Sequence, residues 1–182
     1  MKNICKDLTV GIPFHSGSNP SQLVETLDSL LGQTLRAGCC HLIQNGDVSD
    51  ELLEVIDGYA NKYAEFEKIY VEKKGLAAAL NSSLSRCTTI YYARMDSDDI
   101  AMPQRFERQV NYLEAHGNVD ILGGWAKEFS TSEGIEKAVL KRMPVEQQEM
   151  RNWFHYRNPF IHSTIVFRTK VFQNIGYYNE SY

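Results

Sequence analysis

The chain alternates between short β-branched runs and stretches with apolar residues at helical spacing. Leu8 to Phe14 (LTVGIPF) is an apolar run closed by Pro13 and the polar loop HSGSNPS, which predicts a buried strand. Leu23, Leu27, Leu30 and Leu31 follow at the spacing of one helix face, predicting a helix from Ser21 with an apolar stripe against a sheet. Gly38 to Gln44 reads as a second strand, stopped by the Asn45-Gly46 turn. Asp50 is expected to cap a helix carrying Leu52, Leu53, Val55 and Ile56, and Phe66 to Val71 reads as a third strand. A helix over Gly75 to Leu84 and a strand over Thr88 to Met95 continue the rhythm. A helix after Pro103 with Phe106, Val110 and Leu113 on one face then leads to a short strand over Val119 to Gly123.

Strand and helix in strict alternation predict an α/β fold, a mostly parallel sheet with helices on both faces. Right-handed crossovers then bring the strands' carboxyl ends, and the loops leaving them, to one edge of the sheet. Past residue 123 the rhythm changes. Trp125 to Leu140 reads as two β segments around a Ser130–Gly134 turn, Val145 to Phe154 as a short helix, and Phe160 to Phe167 as a strand. With no repeat, low-complexity tract or long linker, residues 1–182 read as one domain.

Composition narrows the function classes. At 182 residues and 43% hydrophobic, the chain is long enough for a core and too ordinary for a disordered tail, a fibrous repeat or a disulfide-stapled miniature. The net charge of -4 disfavours a phosphate backbone, so no nucleic-acid partner is expected. The four cysteines, Cys5, Cys39, Cys40 and Cys87, form no CxxC pair and read as reduced thiols of a cytoplasmic protein. No apolar run approaches the ~18 residues of a transmembrane segment, and no secretory leader is visible. A membrane-bound substrate stays compatible with this.

The strongest chemical signal is Met95-Asp96-Ser97-Asp98-Asp99-Ile100, directly after a predicted buried strand. Three carboxylates in four residues repel one another and call for a cation or several donors. A hard divalent ion bridged to a diphosphate meets that need. A polar helix cap is the plainer reading, although a cap needs one aspartate. An EF-hand loop from Asp96 fails, because Ile100 takes a ligand position, Ala101 replaces the required glycine, and a strand precedes it. A haloacid-dehalogenase-like phosphatase also places Asp-x-Asp after an apolar strand, and stays open as an alternative.

Six collinear pieces carry a resemblance: TVGIPFHS, LVETLDSLLGQTL, LIQNGDVSDEL, KKGLAAALNSSL, YYARMDSDDIAMPQRFERQV, and NPFIHSTIVFR with GYYNESY. Together they resemble the family 2 glycosyltransferases of GT-A fold, in their bacterial capsule and lipopolysaccharide branch. The resemblance implies transfer of a hexose or N-acetylhexosamine, with inversion, from a nucleoside diphosphate sugar (UDP foremost) to a saccharide or lipid-linked saccharide acceptor. It implies Mn²⁺ or Mg²⁺ held by Asp98, with Asp96 on the ribose or the metal's water shell. Asp99 would cap the next helix or orient its neighbours.

The same resemblance extends the donor site to Pro13, Phe14, His15, Asn45, Asp47, Lys74 and Ser97. His15 offers a ring to the base, and Asn45 stands where relatives carry a carboxylate for the uracil N3–H. Asp47 shares that task, and Lys73 or Lys74 pairs with phosphate. His162, in NPFIHST, is an acceptor contact or a further metal ligand. The general base of the family follows the segment matching GYYNESY, and is expected beyond Tyr182. Localisation in the cytoplasm is implied, with peripheral association at the inner face of the membrane for a full-length enzyme. A non-catalytic nucleotide-sugar-binding module is the rival from another class.

Overall fold

A computed structural model of the chain describes residues 3–72, 75–132 and 135–181. The main sheet is built from β1 (Asn3–Phe14), β2 (Leu35–Asn45), β3 (Phe66–Val71), β4 (Tyr91–Arg94), β5 (Ile121–Leu122) and β8 (Val166–Arg168). The spatial order is β3-β2-β1-β4-β8-β5. The first four strands are mutually parallel, and β8 is antiparallel to both β4 and β5. The remaining strands, β6 (Ala126–Ser132) and β7 (Ile135–Lys141), pair only with each other as an antiparallel ribbon. Ser130 therefore lies within β6 and not in the turn expected from Ser130 to Gly134.

Side-chain alternation sorts the sheet into two faces. Leu8, Val10, Ile12 and Phe14 of β1 meet Leu42 of β2 and Ala93 of β4 in the larger core cluster. That face is covered by α1 (Pro20–Leu31), α2 (Asp50–Lys62) and α4 (Arg105–Ala115), through Leu23, Leu27, Leu52, Ile56, Phe106 and Val110. The opposite face is covered by α3 (Leu76–Arg86), with Ala79 on Ile43 and Ile69, and Leu84 beside Tyr92 and Phe167. Two short helices, α5 (Gln147–Trp153) and α6 (Lys170–Ile175), complete the order, and Phe172 of α6 packs edge-on against Phe167.

Three local expectations change. Asn19, not Ser21, starts α1: its side chain accepts the backbone N–H groups of Ser21 and Gln22, and Pro20 fills the first helical position. Ser49, not Asp50, caps α2 by accepting from Leu52 N–H, while Asp50 and Glu51 put negative charge on the first turn. The strand expected over Phe160 to Phe167 is a 3-10 turn at His162–Thr164 followed by β8. Thr164 forces the turn, since its hydroxyl donates to Ile161 C=O and accepts from Gly124 N–H.

β1 and β2 also begin earlier than their apolar runs. The mostly exposed segment Asn3–Cys5 pairs with Leu35–Ala37, with a register shift before Thr9. Gly38 sits at that irregularity, where an added Cβ would stand 2.9 Å from Lys6 Cα, so only glycine lets the two backbones pass.

Candidate functional site

β1, β2, β3 and β4 end at Phe14, Asn45, Val71 and Arg94, and their exit loops form one edge of the sheet. The loop after β4 is anchored from below. Thr26 donates to Asp99 C=O, Ser29 accepts from Ala101 N–H, and the buried Gln33 donates to Ala101 and Met102 C=O while accepting from Phe106 N–H. Arg105 of α4 reaches back to Arg94 C=O at 2.8 Å, and burial pushes its pKa down to about 10. Polar side chains of α1 and α4 thus hold the aspartate-rich loop while the helices' apolar stripes pack on the sheet.

Asp96 is not an uncompensated charge. Arg94, almost wholly buried, clasps both carboxylate oxygens of Asp96 with its two terminal guanidinium nitrogens. Arg94 Nε is buried without a hydrogen-bond partner. The cluster's need for a positive charge is therefore met in part by the chain itself, through a residue two positions upstream that the carboxylate count leaves out. The fork engages one lone pair on each Asp96 oxygen and leaves the others open to a ligand. Ser97 bonds through its hydroxyl to Ser18 at 3.2 Å, joining the loops after β4 and β1. Asp98 and Asp99 are exposed, and Asp98 makes no hydrogen bond or ion pair among the described residues.

The other candidate residues divide. Phe14 is 1% exposed and belongs to the core, so it presents no face to a ligand; its even position in β1 points it under the sheet edge. His15 next to it is exposed, with its Nδ1 accepting from Gly17 N–H at 2.9 Å, and Pro13 is half-buried in β1. Asn45 is engaged at both ends of its amide: Oδ1 accepts from Gly75 N–H at 2.9 Å and Nδ2 donates to Gly75 C=O at 3.3 Å. A carboxylate could do only the first of these. Asp47 is exposed. Lys73 and Lys74 lie outside the described residues.

His162 is brought toward this edge from the far end of the chain. It is half-buried, and its Nε2 lies 3.2 Å from Tyr178 Oη. Asn81 of α3 fixes the same segment, donating to Tyr178 C=O and Glu180 and accepting from Tyr178 N–H. Burial, with Arg94 nearby, pushes the His162 pKa down to about 4. The unfolded chain therefore binds a proton below pH 6.5 that the folded chain refuses until about 4, so stability is full above that window and falls as pH drops through it. Unfolding free energies at pH 7 and pH 5 are expected to differ by on the order of 1 kcal/mol through this group in the wild type, after discounting for its partial exposure. In His162→Gln the difference shrinks. Equal slopes in the two proteins contradict this assignment.

Among the described residues, the group of three His, Cys, Asp or Glu side chains with ligand atoms within 4.8 Å of one another is Cys39, His41 and Glu67, not the aspartates. Asp98 and Asp99 are both exposed and outside the Arg94 clasp, but Asp99 acts on the buried Arg105, whereas Asp98 has no charged partner among the described residues. A single carboxylate completed by substrate phosphates and water suits Mg²⁺ or Mn²⁺. No helix among the described residues is long and apolar enough to cross a membrane.

Comparison with known proteins agrees with this architecture. The solved structure of Staphylococcus aureus TarS 1–349 superposes with a TM-score of 0.67 at 17% identity, covering 97% of this chain and 51% of that one. The form in complex with UDP-GlcNAc gives 0.66. The fold is the GT-A type. In sequence, the chain is 36% identical over 170 residues to the amylovoran biosynthesis glycosyltransferase AmsE of Erwinia amylovora, covering 93% of this chain and 63% of the relative. It is 32% identical over 165 residues to the UDP-Gal:alpha-D-GlcNAc-diphosphoundecaprenol beta-1,3-galactosyltransferase of Escherichia coli, covering 90% and 59%. The chain thus spans about three-fifths of the length of these relatives. The glycosyl transferase family 2 model matches residues 9–176, nearly the whole chain, and the chain belongs to that family.

Proposed function

We propose that this chain is the donor-binding part of an inverting, metal-assisted glycosyltransferase of cell-surface polysaccharide synthesis. The donor is a UDP-hexose or UDP-N-acetylhexosamine, and the acceptor is a saccharide, lipid-linked where the pathway assembles on a membrane carrier. The E. coli relative is named for a UDP-Gal donor and a diphosphoundecaprenol acceptor, which supports both choices. With such an acceptor, the whole enzyme would work in the cytoplasm against the inner face of the membrane.

One observation carries the reading. At the carboxyl edge of a parallel sheet, an exposed carboxylate, Asp98, stands two residues from an aspartate already clasped by an internal arginine. Asp98 would hold Mn²⁺ or Mg²⁺, which when bound supplies Lewis-acid stabilisation of the leaving diphosphate. Asp96, locked by Arg94, is rigid enough to orient a ribose hydroxyl through the lone pairs left outside the fork. His15 offers its ring face to the base, and Asp47, free of the Gly75 contact that engages Asn45, accepts from the base edge. His162, neutral above about pH 4, faces the acceptor side.

The resemblance puts the base that takes the acceptor hydroxyl proton downstream of the segment matching GYYNESY, and Glu180, which accepts from Asn81, is not given that role. Calorimetry of UDP and UDP-sugars with Mn²⁺, and again with a chelator, tests the reading. Asp98→Ala is expected to weaken metal-dependent binding at least ~10-fold, the loss of one charge-assisted contact. Turnover by the 182-residue chain is expected to be very low. Tight binding that ignores both chelator and Asp98→Ala, or rapid sugar transfer by this chain, contradicts the assignment.

A further inference from the structure

β2 and β3 carry a second constellation, on the face covered by α3 and nearer the opposite end of the strands. Cys39 and His41 stand two positions apart on β2 and so share that face, and Glu67 of β3 lies beside His41 in the parallel register. A thiol sulfur, an imidazole nitrogen and a carboxylate oxygen from the three all fall within 4.8 Å of one another. His41 is 3% exposed, and its Nδ1 lies 2.8 Å from Ser83 Oγ, which is 2.7 Å from Tyr92 Oη. The ring is thereby fixed, and Nε2 is left facing Glu67 at 3.9 Å, beyond hydrogen-bond reach. One ring nitrogen anchored by an outer hydroxyl, the other aimed at a thiol and a carboxylate, is the arrangement by which proteins set histidines for metal.

We propose that Cys39, His41 and Glu67 bind one Zn²⁺-class divalent cation, joining the edge strand β3 to β2. The donor set selects the metal: sulfur and imidazole favour zinc, cobalt or copper over the hard Mg²⁺ or Mn²⁺ that suits Asp98. Tetrahedral zinc needs its ligand atoms roughly 3.5 Å apart, which small rotations of Cys39 and the exposed Glu67 supply. On binding, the Cys39 thiol releases its proton to solvent, and the thiolate pair forms the sulfur–metal bond. The fourth position belongs to water, reached past Glu67. Arg86 of α3 acts on His41 from the same side and opposes the cation, so this site is weaker than a closed four-ligand one.

The test titrates the chelator-stripped chain with Co²⁺ and then displaces it with Zn²⁺. One equivalent of Co²⁺ is expected to give a thiolate-to-metal charge-transfer band that Cys39→Ser abolishes and Cys5→Ser leaves intact. Glu67 is 65% exposed, so Glu67→Gln keeps the fold and lowers zinc affinity at least ~10-fold. Ser83→Ala, which touches no ligand atom but frees the ring, lowers it about 10-fold. Zinc also raises the melting temperature of the wild type and not of Cys39→Ser. Absence of the band, its survival in Cys39→Ser, or its loss in Cys5→Ser overturns the proposal.

Discussion

Arg94→Ala is expected to destabilise the folded chain by about 3 kcal/mol and to abolish nucleotide binding as well. Removing one partner of a buried ion pair typically costs about 3–5 kcal/mol, because the other charge stays behind without compensation. Here Asp96 is 37% exposed and water relieves part of that penalty, which puts the value at the lower end. The loss is more than structural, since Asp96, Asp98 and Asp99 would then share one loop with no internal cation to hold Asp96. Arg94→Lys keeps the charge but loses the two-pronged geometry, so it recovers only part of the stability. Asp96→Asn added to Arg94→Ala removes the stranded charge and should restore some stability without restoring binding. Denaturant unfolding of the four proteins decides the matter; a cost below about 1 kcal/mol for Arg94→Ala would mean the pair is a surface contact.

The second large effect is expected at Gly11. A Cβ there would stand 1.7 Å from Tyr92 Oη and 2.5 Å from Cζ, an impossible overlap. Tyr92 cannot swing aside cheaply, because its ring stacks on Phe167 at 5.2 Å and its hydroxyl holds Ser83. Gly11→Ala therefore combines overpacking, about 1–3 kcal/mol, with a broken buried hydrogen-bond chain, about 1–3 kcal/mol. The sum is about 2–6 kcal/mol, enough to unfold a domain of ordinary stability. Combining Gly11→Ala with Tyr92→Leu removes the clash and should recover much of the loss. Thermal melts of the single and double variants check this, and an Ala variant that melts with the wild type refutes it.

The parts of the fold legible in the sequence are those written in local periodicity. The four parallel strands and the four long helices show as β-branched runs and leucine stripes, because each must bury one face regardless of what covers it. β8 is different. Only Val166, Phe167 and Arg168 join the sheet, and their direction is set by a turn at Thr164 that depends on Gly124, distant in sequence. The start of β1 escaped for a related reason: it is paired but largely exposed, so no apolar run marks it, and the start of β2 is a mixed Leu-Arg-Ala stretch with no alternation to read.

At the candidate site, the aspartate loop is plain from composition, whereas its electrostatics are not. Arg94 sits in a strand whose neighbours are all apolar or aromatic, and that anomaly is the available clue to an internal counter-ion. Phe14 and His15 are adjacent, yet the strand pleat sends one into the core and leaves the other on the surface. That the Asn45 amide also brackets the backbone of Gly75, donating and accepting, shows only once that loop is folded beside it. Cys39, His41 and Glu67 meet through the β2–β3 register, which no spacing rule displays.

The late arrival of β8 shapes how the polypeptide leaves the ribosome. Tyr91 of β4 waits for a partner 77 residues downstream. Until that stretch emerges, the outer rim of β4 is a bare, hydrophobic template open to strangers, the condition that nascent chains resolve with chaperones or fast downstream synthesis. Four of the six strands can zip up from the N-terminal end as they are made, but closure on the other side is deferred to the final sixth of these residues.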